Sequence, residues 1–439
     1  MQRNNKTDNS AKGSFSSGLD QAQTFQNFES EKEIIPPKPD FIDTDIEVLR
    51  SRLLGNNTNN CVKNEQSTEN QQSNFLENYQ SETEFQELKK QLENRAELYR
   101  LRSYLRPVLK HPKPYSVVRT KYTNWLHRTT NCGRRKIRSN GGIEFVKGVK
   151  GSYYFGNLQK CGLKWLCPVC MAKLRTHHME WLDATLKHYN EKGHTFKFVT
   201  YTFEHHKGND LKKEIDYLIG AFRASYAHKT ARSNRGPKGE TVQYSYTLEI
   251  TKGQNGWHPH LHIIYTHKDR ETLEIFEGVV NRLYKKHILK TGKKFVSGIT
   301  IDSKLVTDEK GISDYMTKKQ ALFELVSSFT KSTYKGGRNY LEMLQAMFND
   351  GEDHMKDIHE YSAATYGRRS YQNSQKFVPE HLRQIEGMTD DEILQDDEID
   401  EIILMLTDEQ YEKLIKDHNE FNFIKIYLLQ GREAAVKLI

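Results

Sequence analysis

Three features of this 439-residue chain predict an α+β fold, an antiparallel sheet with helices packed on it. Runs of β-branched and aromatic residues alternate with stretches of helical spacing, so the apolar period switches repeatedly between two and about 3.6. Two of the runs are joined by Gly253-Gln254-Asn255-Gly256, a turn sequence that makes its flanking strands antiparallel neighbours. With 51.4 kDa, 36% hydrophobic residues and a mean hydropathy of -0.81, the chain can bury a large core and still leave segments outside it.

Residues 1 to about 80 are rich in Asn, Gln, Ser, Thr and Glu and read as a disordered polar tail, which includes Cys61. Over 81–110, Leu88, Leu92, Leu98 and Leu101 suit an amphipathic helix that Pro107 should end. Residues 111–190 form a cysteine-bearing module whose last part, Thr176 to Asn190, is helical. Thr195 to Phe203 is a strand, Leu211 to Lys229 a helix and Thr241 to Thr251 a strand with alternating Tyr. The turn then leads into a histidine-bearing strand, followed by a helix over Arg270 to Leu289, a strand over Phe295 to Val306 and a helix from Ile312 to about Lys331. This order gives 191–345 a ferredoxin-like arrangement. Residues 346–439 are acidic and mostly helical, with carboxylates alternating with Ile and Leu at helical spacing beyond Asp391. No internal repeat is visible.

The net charge of +8 conceals a marked asymmetry. From Arg100 to Leu344 there are roughly 25 more basic than acidic residues, whereas both flanks are acidic. Aromatics interleave with the cations, as in Arg119-Thr120-Lys121-Tyr122 and Lys164-Trp165, a composition suited to phosphates and to stacked bases. No apolar run approaches the twenty or so residues of a membrane span, and Met1-Gln2-Arg3-Asn4-Asn5 lacks the apolar stretch of a secretory signal. A cytoplasmic protein is expected. In a reducing compartment the five cysteines point to metal rather than to a disulfide scaffold.

Gly256-Trp257-His258-Pro259-His260-Leu261-His262 carries the chemistry. On a strand, His258, His260 and His262 project to one face while Leu261 and Ile263 turn to the other. Two imidazoles spaced by one residue can share a divalent ion. Work on phosphate calls for Mg²⁺ or Mn²⁺, which prefer oxygen, and Glu249, set across the turn, supplies a carboxylate. Further on, Tyr315 and Lys318 share a face of the predicted helix. A phenol with a pKa of about 10 needs a nearby cation or metal to act as a nucleophile.

Together with Thr200-Tyr201-Thr202-Phe203, these segments resemble the three ordered motifs of the HUH endonucleases. The similarity is strongest to the rolling-circle replication initiator (Rep) proteins of small plasmids of Gram-positive bacteria, spans roughly Cys132 to Lys331 and reaches weakly to Gly367-Arg368-Arg369-Ser370-Tyr371. It implies that a metal on His260, His262 and Glu249 polarises a scissile phosphate which Tyr315 attacks, leaving a 5′-phosphotyrosine and a free 3′-OH. His258 would then orient the site or touch DNA. Such initiators often place a glutamate four residues before the tyrosine, but Gly311 stands here; Glu309, Asp314 or a second tyrosine such as Tyr334 or Tyr340 could end the reaction instead. They also tend to carry a cysteine cluster ahead of the core. Cys161, Cys167 and Cys170 match it, Cys167 and Cys170 with zinc-knuckle spacing and Cys161 five intervening residues upstream; Cys132 is the expected fourth thiolate of a structural Zn²⁺ site, and His177 or His178 could replace it. Arg134, Arg135, Lys136 and Arg138 beside it would contact DNA.

The resemblance further implies single-stranded or extruded origin DNA as substrate, with host helicase and polymerase as partners; self-association stays open. The acidic C-terminal region could pair with a partner protein or mask the basic face. Rival readings are a relaxase or single-strand transposase of the same chemistry, and a zinc-bearing DNA-binding regulator without catalysis.

Overall fold

The computed structural model describes residues 82–110, 128–149, 153–306, 337–395 and 399–439. The polar tail over 1–80 and the predicted helix over 312–331 lie outside them. In chain order the principal elements are α1 (Glu82–Lys110), β1 (Ile143–Gly148), β2 (Tyr153–Gly156), α2 (Pro168–Glu191), β3 (Thr195–Tyr201), α3 (Leu211–Ala227), β4 (Gln243–Gly253) and β5 (Gly256–His267). There follow α4 (Arg270–Lys290), β6 (Ile301–Val306), β7 (Arg338–Asn339), α5 (Tyr340–Asp350), α6 (Met355–Thr365), β8 (Tyr371–Asn373), β9 (Ile399–Leu406), α7 (Asp408–Lys416) and α8 (Glu420–Gln430).

The main sheet runs β6-β3-β5-β4-β7, and β8 shares the outer edge of β4 with β7. Every pairing is antiparallel. Helices α3 and α4 each connect two strands that are not neighbours, so two β-α-β units interlock with β3 and β5 at the centre. Alternation along the strands sorts the side chains: Leu248, Ile250, Leu261 and Ile263 are buried in one core. Leu211, Ile215, Leu218 and Phe222 of α3 and Leu273, Phe276, Val280 and Tyr284 of α4 join them at spacings of three and four. Each such side chain contributes about 1.5–3 kcal/mol on full burial, which fixes the register of the strands and hence which face the histidines take.

A second sheet, β2-β1-β9, packs against α7 and α8 around Phe145, Phe155, Tyr411 and Phe423. The C-terminal stretch thus shares a sheet with the cysteine module. Here the structure departs from the helical reading, because Ile399–Leu406 is a strand paired with β1 through two register shifts. Its consecutive Ile402-Ile403-Leu404 favours an extended chain, and the unpaired edge of β1 supplies the partner.

Two other boundaries move. Helix α1 runs through Pro107, in its last turn, because Leu105, Val108 and Leu109 are buried and outweigh one lost backbone bond. The strand read from Phe295 begins only at Ile301, since Gly298 adopts φ +75° and the amides of Ile299 and Thr300 turn back to the Val296 carbonyl. Among the described residues no helix is long and apolar enough to cross a membrane.

Candidate functional site

The tight turn between β4 and β5 decides the geometry of the histidine face. Gly253 pairs with Gly256, which places Glu249 directly opposite His260, and β3 sets Thr200 opposite His262 on the other side. Gly256 takes φ +97°, and a Cβ there would fall 2.9 Å from the His206 carbonyl oxygen. Only glycine fits that position without strain.

Three side chains converge in front of the sheet. His262 Nε2 lies 2.7 Å from Glu249 Oε2, and His260 Nδ1 lies 3.6 Å from the same oxygen. Ligand atoms of Glu249, His260 and His262 all fall within 4.8 Å of one another. Among the described residues His260 Nδ1 is buried with no hydrogen-bond partner, an orphan that a cation in this cradle would satisfy. One carboxylate and two imidazoles, each about a quarter exposed or less, leave the site open on one side, as a hard divalent ion shared with a phosphate requires. The residues therefore fit a divalent cation. Burial alone would raise the Glu249 carboxyl, but the imidazoles of His260 and His262 overcome it and hold the group well below the usual carboxylate range.

Outer contacts orient both rings. Thr200 Oγ1 lies 3.1 Å from His262 Nδ1, so that nitrogen can donate to the hydroxyl and leave Nε2 for an ion. His260 Nε2 is 3.1 Å from His258 Nε2, which lies 2.9 Å from Thr202 Oγ1. His258 stacks on His205 at 4.0 Å. Burial, then the neighbouring His260 and His205, push its imidazole down to about 2, so it stays neutral. Thr200, Thr202 and His205 join the site only through these contacts, which the local sequence does not reveal. The alternation of Thr200 and Thr202 on one strand face was the available signal, but which strand lies beside β5 is not written locally.

Of the expected nucleophile and accessory residues, Tyr315, Lys318, Glu309, Asp314 and Tyr334 lie outside the described residues. Tyr340 is corrected as a candidate second nucleophile. It is 3% exposed, donates its hydroxyl to the Leu166 carbonyl at 3.1 Å and stacks on Tyr361, and burial pushes its phenol well above its ordinary value.

The cysteines meet at the start of α2. Cys132 Sγ lies 3.7 Å from Cys167 Sγ and 3.6 Å from Cys170 Sγ, and Cys161 Sγ lies 3.7 Å from Cys170 Sγ. A tetrahedral ion with bonds of about 2.3 Å holds its ligands about 3.8 Å apart, so the buried set fits Zn²⁺. His177 and His178 are corrected as alternatives to Cys132: His177 Nε2 contacts the Ile385 carbonyl, and His178 stacks between Trp181 and Tyr371. Arg134 and Arg135 are exposed, whereas Lys136 pairs with Asp408 at 2.9 Å and Arg138 with Glu144 at 2.6 Å.

Over 149 residues the chain is 29% identical to a protein named "Protein rep" from Streptomyces lividans, a match covering 28% of this chain and 33% of that protein. Over 147 residues it is 28% identical to a "Neomycin resistance protein" from Streptomyces cyanogenus, covering 28% of this chain and 34% of that one. The chain thus matches about a third of the length of these curated relatives. No protein-family model matches it, and no solved structure matches it significantly.

Proposed function

We propose that this chain initiates rolling-circle replication by cleaving one strand of origin DNA with a tyrosine nucleophile. The observation that carries the reading is the convergence of Glu249, His260 and His262 on one face of a sheet whose β-α-β-β-α-β connectivity is that of a ferredoxin-like core. The similarity to a protein named Rep supports it. Glu249, His260 and His262 would hold Mg²⁺ or Mn²⁺, which would supply Lewis-acid polarisation of the scissile phosphate. Tyr315 supplies the phenolic oxygen, and the Lys318 ammonium favours its ionised form. A Tyr–O–P bond forms as the P–O3′ bond breaks; the phenolic proton ends on the departing oxygen, which becomes the 3′-OH a polymerase extends. The four cysteines would hold a structural Zn²⁺, and the exposed Arg134 and Arg135 would meet DNA phosphates.

An end-labelled single-stranded origin candidate incubated with the protein and Mn²⁺ or Mg²⁺ tests this. A covalent adduct should form and map to Tyr315, and Tyr315→Phe should abolish it while DNA binding persists. DNA binding by the wild-type chain without any adduct would instead favour a non-catalytic regulator.

A further inference from the structure

Cys132 and Gly133 are gripped by elements far apart in sequence. Arg106 Nη2 of α1 donates to the Cys132 carbonyl at 2.7 Å. The Arg102 guanidinium lies so close to Gly133, at φ +66°, that a Cβ there would fall 2.4 Å from Nη1. Tyr411 of α7 donates its hydroxyl to the Gly133 carbonyl at 2.8 Å. Glu420, the first residue of α8, accepts from Arg102 Nη2 at 2.8 Å and lies 3.8 Å from Arg106 Nη2. The side chains of Arg102, Arg106 and Glu420 are 1%, 7% and 2% exposed.

Two buried guanidiniums therefore share one carboxylate, leaving an excess positive charge where an unmatched charge is costly. The adjoining four-cysteine site supplies the missing anion, because a divalent ion on four thiolates carries two net negative charges.

We propose that Arg102 and Arg106 form the cationic outer shell of the four-cysteine metal site, and that through Glu420 they couple metal loading to the docking of α7 and α8. This rests on the reading that the thiolates hold Zn²⁺. Without the ion the Cys132–Gly133 turn loses its anchor, and with it the grip of Arg102, Arg106 and Tyr411 that joins α1 to α7 and α8 loosens. Coupling of this kind is reciprocal: weakening the arginine shell weakens the metal.

The full-length protein carries the test, with Zn²⁺ release followed by a chromogenic chelator and backbone exchange followed by mass spectrometry. Removal of Zn²⁺ should raise amide exchange over 408–436 at least tenfold and leave the β4–β5 hairpin unchanged. Arg106→Met should release Zn²⁺ about ten to a hundred times faster, as loss of an outer-shell partner does, and Arg106→Lys should restore most of the retention. Unchanged exchange over 408–436 after the metal has gone overturns the coupling. Wild-type release from a folded Arg106→Met variant overturns the outer-shell role, and should that variant not fold, the exchange comparison on the wild-type chain decides. A wild-type chain that binds no Zn²⁺ at all removes the premise and the inference together.

Discussion

Thr200 shows how one hydroxyl can orient a candidate metal ligand from outside the cluster. At 3.1 Å from His262 Nδ1 it accepts the ring proton that would otherwise compete for Nε2, the nitrogen facing Glu249. Thr200→Val should therefore weaken Mn²⁺ binding about ten to a hundredfold, and Thr200→Ser should keep it, as read by titration of the metal. Tyr340 makes the opposite case. Its hydroxyl serves the Leu166 carbonyl, so Tyr340→Phe should cost about 1 kcal/mol in denaturant unfolding and leave adduct formation intact. The three candidate ligands were legible in the sequence because strand alternation and a turn suffice to bring Glu249 opposite His260. Their threonine partner was not, since Thr200 reaches His262 only through a pairing between strands more than fifty residues apart, which no local period encodes.

Elements behaved likewise where a local signal decided and otherwise where packing did. The strands and helices around β3 to β5 followed their periodicity, whereas β9 is a strand only because the edge of β1 is there to pair with it. The turn before the histidines is a local necessity: Gly256→Ala forces a side chain into φ +97° and against the His206 carbonyl, and should destabilise the protein by about 1–3 kcal/mol in urea. Helix α2 is tied to the sheet by His178, buried between Trp181 and Tyr371, with burial pushing its imidazole down to about 3. The unfolded chain takes up that proton near its ordinary pKa of about 6.5 while the folded chain does not, so stability falls as pH drops below that value. Between pH 7 and 5 this group should account for about 2 kcal/mol of lost stability, at about 1.4 kcal/mol per pH unit below its unfolded pKa. Parallel unfolding curves at the two pH values for wild type and His178→Phe check it: the variant, which keeps the stacking, should lose less by that amount.

Across the whole molecule, the acidic C-terminal stretch faces the basic cysteine module. Arg128 meets Asp391 at 3.6 Å, Lys136 meets Asp408 at 2.9 Å, Lys147 meets Asp400 at 3.6 Å and Lys164 meets Asp390 at 3.3 Å. Exposed pairs of this sort are worth about 0–1 kcal/mol each, so they do not hold the stretch in place. The pairing of β9 with β1 and the apolar core beneath α7 and α8 do that. The aspartates are consequently fixed beside these cations and, as long as they stay there, withhold them from a DNA backbone. Phosphate contact releases condensed counterions, which makes the salt dependence of affinity a count of the cations engaged. With Asp390, Asp391, Asp400 and Asp408 all changed to Asn, single-stranded DNA should bind more tightly at low salt. The slope of log affinity against log salt should steepen by up to about 3, at about 0.7 for each freed contact. Anisotropy titrations from low to moderate salt measure that slope directly. An unchanged slope would place Arg128, Lys136, Lys147 and Lys164 away from the DNA and leave the aspartates a purely local role.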